Sequence, residues 1–404
     1  MKHIIIIVLA ASMFSCKEKG NTKALENGRY RAELKVDDTL NLPFNFEVIS
    51  ENELQVFNAE EVIEVNDIEY KNDSVYIQMP VFEGFMVAKI EDNSLKGRFV
   101  NPNLDRVMDF KAEKNDSRFE TYESLSSFEV SGNWETVFSP NSEEDRYIAK
   151  GVFKQNGNKV TGTFMTTTGD YRYLEGALNG NQLKLSTFDG AHAFLFTAEV
   201  KDSTMNGMFY SGNHWKEPFS AKRNDTFQLP DANQLTYLKE GYDTVAFSFP
   251  DENGNIVSLN DERFKDKVVL IQIMGTWCPN CLDESKYYSE YYKNNKDQDL
   301  EIVALAFEYV KTSEKAFQNI KRLKQDVGIE YPVLLAQHGS ASKVKANEKL
   351  PMLNHVLSYP TTIFIDKSGK VRKIHTGFNG PATGEKYMEF KIEFEGFIDE
   401  LLNE

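Results

Sequence analysis

The chain of 404 residues is acidic, with 62 Asp and Glu against 46 Lys and Arg and a formal net charge of −16. Nucleic-acid binding as the main role is excluded, because phosphate recognition needs a basic surface. At roughly 100–200 residues per domain, the length predicts two to four domains with cores of their own. The three cysteines stand at positions 16, 278 and 281, so no further disulfide is expected.

The first 15 residues predict a signal peptide. Lys2 precedes an apolar run at residues 4–14 that is too short to span a bilayer. The run MFSC at residues 13–16 resembles the lipobox of bacterial lipoproteins, which predicts cleavage before Cys16, its lipidation, and a polar tether over residues 16–27. The mature protein is then held on a membrane by its lipid. The alternative is ordinary cleavage near residues 10–12, which would release a soluble secreted protein.

The region from residue 28 to residue 225 predicts strands, since short alternating runs are broken by Gly, Asn and Asp. The run DNSLKGRF at residues 92–99 matches DSTMNGMF at 202–209, and 110–116 matches 219–225 in the same way. This repeat predicts a tandem-duplicated all-β region, with one unit at 28–117 and a second at 131–225. Each unit is expected to be a small antiparallel β-sandwich or half-open barrel.

The role of these two β-rich units is open. They could bind a partner or position the rest of the chain, or they could act only as a spacer above the membrane. His214 and Trp215 could line a groove, but we expect them to form a buried aromatic edge.

The C-terminal part, residues 242–404, follows a polar linker at 226–241 and predicts a layered α/β domain, because strand and helix patterns alternate. A helix N-cap is expected at Ser313. The predicted strands are 255–259, 268–274, 301–306, 331–335, 361–366 and 371–376, and the predicted helices are 280–292, 313–327 and 385–402.

The run WCPNC at residues 277–281 places two cysteines where a buried strand gives way to a helix. A thiol at a helix start is activated, because the helix dipole and free amide groups stabilise the thiolate. Cys281, one turn later, could close a disulfide with Cys278. A zinc site would need four ligands, and the nearest histidines are scattered, so we expect no metal. The pattern therefore favours a redox pair over a metal site or an inert pair.

Five runs in this domain resemble the TlpA/ResA group of extracytoplasmic thioredoxin-like proteins. They are GTWCPNC at 275–281, SYPTT at 358–362, FIDKSGKV at 364–371, HTG at 375–377 and GPATG at 380–384. The resemblance covers about two-fifths of the chain. It implies a thioredoxin-like fold and a thiol–disulfide oxidoreductase without a cofactor. The implied partners are disulfides of extracytoplasmic proteins, on the periplasmic side, and a membrane electron donor.

The resemblance also implies roles for single residues. Cys278 would attack the partner disulfide and Cys281 would resolve the mixed disulfide. Glu284 would be the base that deprotonates Cys281, unless it is only an exposed helix carboxylate.

Three residues would lie on the substrate side of this pair. Trp277 would shield the thiols, and Tyr359 would offer backbone hydrogen bonds before a cis Pro360. Plain thioredoxins carry a buried Asp where this chain has Gln272, and residues 343–357 predict an inserted helical piece over the active site.

Two other functions are considered. A thiol peroxidase of the related fold would place a threonine three residues before the cysteine, whereas Thr276 stands two before Cys278 and position 275 is glycine. A binding lipoprotein, whose β-rich units capture a partner, is the other alternative.

Overall fold

The computed structural model describes residues 23–92, 94–120 and 125–404. The predicted signal peptide, Cys16 and most of the predicted tether lie outside the described residues. The described chain forms an open antiparallel sheet, a closed antiparallel barrel and a C-terminal α/β domain, in that order.

Within the described part of residues 23–120, nine strands form the open sheet in the order β4-β3-β2-β1-β9-β8-β7-β6-β5. The strands are β1 Gly28–Lys35, β2 Asn41–Ser50, β3 Glu53–Asn58, β4 Glu61–Val65, β5 Asp67–Lys71, β6 Ser74–Gln78, β7 Phe85–Glu91, β8 Ser94–Asn101 and β9 Arg106–Lys114. Alternate residues of most of these strands are buried, as the alternating sequence predicts. The first and last strands pair, with Ala32 opposite Ala112.

Within residues 125–225, eight strands form the closed barrel, in which each strand pairs with its neighbours along the chain and β10 pairs with β17. The strands are β10 Gly132–Phe138, β11 Tyr147–Asn156, β12 Lys159–Thr166, β13 Leu174–Asn179, β14 Gln182–Phe188, β15 Ala193–Lys201, β16 Thr204–Ser211 and β17 Trp215–Arg223. The expectation of a sandwich or half-open barrel is therefore wrong for this unit, because complete pairing closes it. The predicted aromatic edge is also wrong, since Trp215 is 48% exposed and His214 is exposed.

The sheet and the barrel share contacts and a core. Phe188 of β14 stacks on Phe44 of β2 with ring centroids 4.3 Å apart. The buried guanidinium of Arg118 donates to the carbonyl of Phe57 at 2.8 Å and to the hydroxyl of Ser186 at 2.9 Å. Because a buried cation must be satisfied by polar partners, these hydrogen bonds help to fix the two units against each other.

The α/β domain contains a five-stranded sheet in the order β22-β21-β20-β23-β24. Strands β20, β21 and β22 are parallel, β23 is antiparallel to β20, and β24 is antiparallel to β23. The elements are β18 Ser248–Pro250, β19 Ile256–Ser258, β20 Val268–Met274, α1 Pro279–Asn294, β21 Leu300–Phe307, α2 Ser313–Val327, β22 Val333–Gln337, α3 Lys343–Lys349, β23 Thr361–Ile365, β24 Val371–Thr376 and α4 Glu385–Asn403. The central strands β20 and β21 are buried at every residue, which explains their continuous apolar runs. Thr312 caps α2, so the expected cap at Ser313 is wrong by one residue.

One buried ion cluster joins all three parts of the chain. The guanidinium of Arg172, in the barrel, contacts Glu61 of the open sheet at 2.6 Å, Asp189 of the barrel at 3.6 Å, and Asp283 of α1. The side chain of Arg172 is only 4% exposed. Separating the parts would leave buried charges without partners, so this cluster holds the α/β domain against the β-rich region.

The predicted linker is bound along the α/β domain. Its Ala232 carbonyl accepts a hydrogen bond from the Thr376 amide at 3.0 Å, and Leu238 forms an isolated bridge with Leu353.

No helix in the described ranges is long and apolar enough to cross a membrane.

Candidate active site

Cys278 occupies the N-cap position of α1. The buried strand β20 ends at Met274, and Pro279 then provides the fixed backbone geometry that suits a first helical turn. The Sγ of Cys278 accepts a hydrogen bond from the Cys281 amide at 3.3 Å and lies 3.5 Å from the Tyr359 carbonyl. The free amide groups of a helix start stabilise a negative sulfur at this position.

The two thiols differ in their access to solvent. Cys278 is 7% exposed and Cys281 is completely buried, and both are free thiols. Burial raises the pKa of Cys281 well above its usual value, and the adjacent Cys278 sulfur raises it further. The outer thiol is therefore the one that a partner can reach, while the inner thiol needs a base or a neighbouring reaction to lose its proton.

Glu284 lies one turn beyond Cys281 on α1, and its side chain is completely buried. Its carboxylate accepts hydrogen bonds from Gln272 at 2.8 Å, Thr362 at 3.0 Å and Tyr288 at 3.2 Å. Burial raises the pKa of Glu284 to about 7, against the opposite effect of the Gln272 and Thr362 hydrogen bonds. The alternative of an exposed helix carboxylate is wrong, and Gln272 orients this carboxylate.

The loop that precedes β23 lies against the thiols. The Tyr359–Pro360 peptide bond is cis, as the sequence predicts. The Trp277 indole donates to the Phe307 carbonyl at 3.0 Å and packs edge-on against Tyr359 with ring centroids 5.7 Å apart. The predicted residues Trp277, Cys278, Cys281, Glu284, Tyr359 and Pro360 are therefore gathered at one end of the sheet.

Glu308 is a site residue that the sequence reasoning missed. It directly follows β21 and is completely buried, and its carboxylate accepts from the Thr276 amide and the Thr276 hydroxyl, both at 2.7 Å. Burial raises its pKa to about 7. The available signal was its position, because a charged residue at the carboxyl end of a buried parallel strand is typical of functional sites in α/β folds.

The barrel forms the opposite wall of the site, a contact that no local sequence pattern predicts. A cavity of about 450 Å³ lies between residues 166–171 of the barrel and Trp277, Cys278 and Tyr359 of the α/β domain. The wall is fixed in place, since Ser358 donates to the Thr168 carbonyl at 2.9 Å and Asn280 donates to the Asp170 carbonyl at 3.3 Å.

Gly169 is required at the centre of this contact. Its φ of +148° is unfavourable for residues with a side chain, and an added Cβ would collide with the Asn280 amide. The predicted helical insertion is present but shorter than expected: α3 covers Lys343–Lys349, and Lys343 lines the Cys278 cavity.

Metal binding has no candidate group in the described ranges, where no cluster of three or more His, Cys, Asp or Glu is arranged to hold an ion. The chemistry that this geometry supports is thiol–disulfide exchange, which needs one accessible thiol, one nearby thiol and proton transfer between them.

The C-terminal part of the chain is similar to several known proteins. The AhpC/TSA family matches residues 241–374. The thiol-disulfide oxidoreductase ResA of Bacillus subtilis (strain 168) is 34% identical over 151 residues, which are 37% of this chain and 75% of that protein. The thioredoxin-like protein YneN of the same strain is 28% identical over 158 residues, 39% of this chain and 81% of YneN. A solved thiol-disulfide oxidoreductase from Bacteroides fragilis NCTC 9343 is 22% identical, covers 37% of this chain and 99% of its own, and superposes with a TM-score of 0.27.

A thioredoxin-like domain with two thiols at a helix start defines the chain as a thiol–disulfide oxidoreductase. Its identity to ResA over three quarters of that protein then gives the family: the chain belongs to the ResA thiol-disulfide oxidoreductases. The AhpC/TSA match lies within the C-terminal domain, so the open sheet and the barrel are outside it.

Replacing Glu284 by Gln is expected to reduce the pH dependence of stability. With a pKa of about 7 in the folded protein and a usual value near 4.5, Glu284 keeps a proton in the folded state that the unfolded chain has released. Its contribution to the free energy of unfolding is complete below about pH 4.5 and is lost as the pH rises through about 7, a change of roughly 3 kcal/mol.

Urea unfolding of the reduced protein between pH 4.5 and 7.5 measures this difference. Glu290→Gln, an exposed residue on the same helix, is the matched control and should follow the wild-type curve. Parallel curves for Glu284→Gln and the wild type would contradict the raised pKa of Glu284.

Proposed function

We propose that the protein is a membrane-anchored thiol–disulfide oxidoreductase that reduces disulfides of extracytoplasmic proteins through Cys278 and Cys281. The observation that carries the proposal is the arrangement of Cys278, which lines a cavity at the start of α1, and a fully buried Cys281 one turn later. Electrons would come from a membrane donor, which returns the oxidised pair to two thiols.

The proposed reaction has two exchange steps. The Cys278 thiolate attacks one sulfur of the substrate disulfide, which forms a mixed disulfide and releases the other substrate sulfur as a thiol. The Cys281 thiolate then attacks the Cys278 sulfur, which releases the second substrate thiol and leaves an oxidised Cys278–Cys281 pair. Two electrons and two protons pass to the substrate in the complete cycle.

Glu284 is the proposed proton acceptor for Cys281. A pKa of about 7 is suited to a base that works near neutral pH, and a carboxylate three residues further along a helix lies on the same face as Cys281. Trp277 and Tyr359 are proposed to contact the substrate, because they border the cavity in front of Cys278, and Pro360 is proposed to do so because its cis peptide bond directly follows Tyr359.

The roles of the two thiols predict different defects for Cys278→Ser and Cys281→Ser. Cys281→Ser should accumulate a mixed disulfide with the substrate, because the resolving thiol is missing, whereas Cys278→Ser should form no adduct and lose activity. Mass spectrometry after incubation with a disulfide-containing peptide measures both. An adduct on Cys281 in the Cys278→Ser protein at the wild-type rate would reverse the assignment.

The direction of electron flow is tested by the reduction potential of the Cys278–Cys281 pair, measured by equilibration with a dithiol buffer. A reductant comparable to thioredoxin should have a potential near or below about −250 mV. A potential near about −120 mV, that of a strong disulfide donor, would reject the proposed direction.

Lipid attachment at Cys16 is proposed from the lipobox resemblance at residues 13–16, with the protein on the periplasmic side of a membrane. Cys16→Ser should move the protein from the membrane fraction to the soluble fraction, since the acyl chains provide the anchor. Immunoblotting of the two fractions measures this, and a membrane-bound Cys16→Ser protein would reject the anchor.

A tandem duplication of the β-rich units, with boundaries at 28–117 and 131–225, is also proposed. The matching segments fall on equivalent strands, β8 with β16 and β9 with β17. The first and last strands pair in both units, which supports a common origin.

The peroxidase alternative is less favoured, because both polar groups of Thr276 are hydrogen-bonded to Glu308 and are not directed to a peroxide. In the partner-binding alternative, the β-rich units bind a partner protein. This alternative is compatible with the redox function, because barrel residues line the cavity at Cys278.

A further inference from the structure

A second cavity adjoins the one in front of Cys278. It measures about 560 Å³ and shares His192, Phe194 and Trp277 with the first cavity. Its walls come from the open sheet, the barrel and the α/β domain, with Arg106, Ser211 and Tyr309 as one contribution from each. The two cavities therefore form one cleft along the junction of the three parts, which we name the junction cleft.

The shape of the junction cleft restricts the substrate. Cys278 is only 7% exposed, and barrel residues 166–171 lie across the cavity from it. The Thr168 and Asp170 hydrogen bonds and the buried Arg172 cluster fix the distance between the two walls. A disulfide on the rigid surface of a folded domain would collide with the barrel, whereas an extended segment could follow the cleft to the sulfur.

Cationic side chains line the junction cleft, although the chain as a whole is acidic. Arg322 in the second cavity is accompanied by Glu83, at 3.8 Å, and Lys315 lies 2.5 Å from the same carboxylate. Arg106, in the same cavity, is half-buried and has no Asp or Glu within ion-pair distance among the residues that the structure describes. Burial lowers the pKa of Arg106, and the neighbouring Tyr309 offsets this only in part.

We propose that the junction cleft binds an extended, acidic polypeptide segment that carries the substrate disulfide, and that Arg106 binds a carboxylate of this segment. This inference rests on the proposed function and assigns the β-rich units a part in substrate selection. A carboxylate of the segment would form the ion pair that no described Asp or Glu provides for Arg106, because a guanidinium binds a carboxylate with paired hydrogen bonds. The segment then leads past Trp277 to Cys278.

The test compares two synthetic peptides that contain the same intramolecular disulfide, flanked by Asp and Glu in one and by Asn and Gln in the other. The reduced full-length protein in detergent is mixed with each peptide, and the second-order rate constant is measured. The acidic peptide should react faster, and Arg106→Gln should lower the acidic-to-amide ratio roughly tenfold, as expected for loss of a hydrogen bond between charged groups.

Matched variants exclude a general loss of structure. Arg98→Gln removes an exposed arginine on β8, outside the cleft, and should keep the wild-type ratio. Arg106→Lys retains the charge and should keep part of the preference for the acidic peptide. Equal ratios in wild type and Arg106→Gln would overturn the inference, as would a preference for the amide peptide.

Hydroxyethyl disulfide, a small neutral disulfide, separates this inference from the proposed function. A wild-type protein that reduces neither this compound nor either peptide would reject the redox function itself. A protein that reduces hydroxyethyl disulfide and both peptides without preference would reject only the acidic segment. Reduction of hydroxyethyl disulfide alone would identify a small-molecule substrate and also overturn the inference.

Discussion

Arg172 is a buried cation whose carboxylate partners come from the open sheet, the barrel and the α/β domain. A guanidinium in such a place is tolerated only while its partners stay close, because an unpaired buried charge costs several kcal/mol. The three parts of the chain therefore dock cooperatively, because each contributes a partner to the same buried cluster. Since Asp283 lies two residues after Cys281, the same contact fixes the start of α1, and with it the position of the thiols relative to the barrel.

The site combines two buried carboxylates with two thiols. Burial raises the pKa of both Glu284 and Glu308 to about 7. Glu284 lies three residues after Cys281, and Glu308 accepts a hydrogen bond from Thr276, two residues before Cys278. Near neutral pH both carboxyl groups are therefore partly protonated. Only Glu284 lies on the helix of the thiols, while Glu308 holds the backbone of the loop that leads to Cys278. The first is suited to proton transfer and the second to positioning.

The parts of the structure that depend on local pattern are predictable from the sequence. The bounds of β20 and β24 follow from an apolar run and a turn, and the position of Cys278 follows from the change from strand to helix. The barrel wall is different, because Thr168 and Cys278 are 110 residues apart and no local pattern relates them. The exposure of Trp215 could not be predicted either. An alternating pattern predicts a strand, but it does not identify which face of that strand the core covers.

The open sheet and the closed barrel differ in one respect that affects solubility. β4 and β5 are separated by a single residue, yet they do not pair, so the sheet keeps two free edges. Unpaired strand edges can recruit strands of another molecule, and charged side chains oppose this. β4 carries the exposed Glu64, and β5 carries Asp67 and Glu69. Two edges with the same sign of charge repel each other between molecules, so the gap in the sheet is protected against self-association.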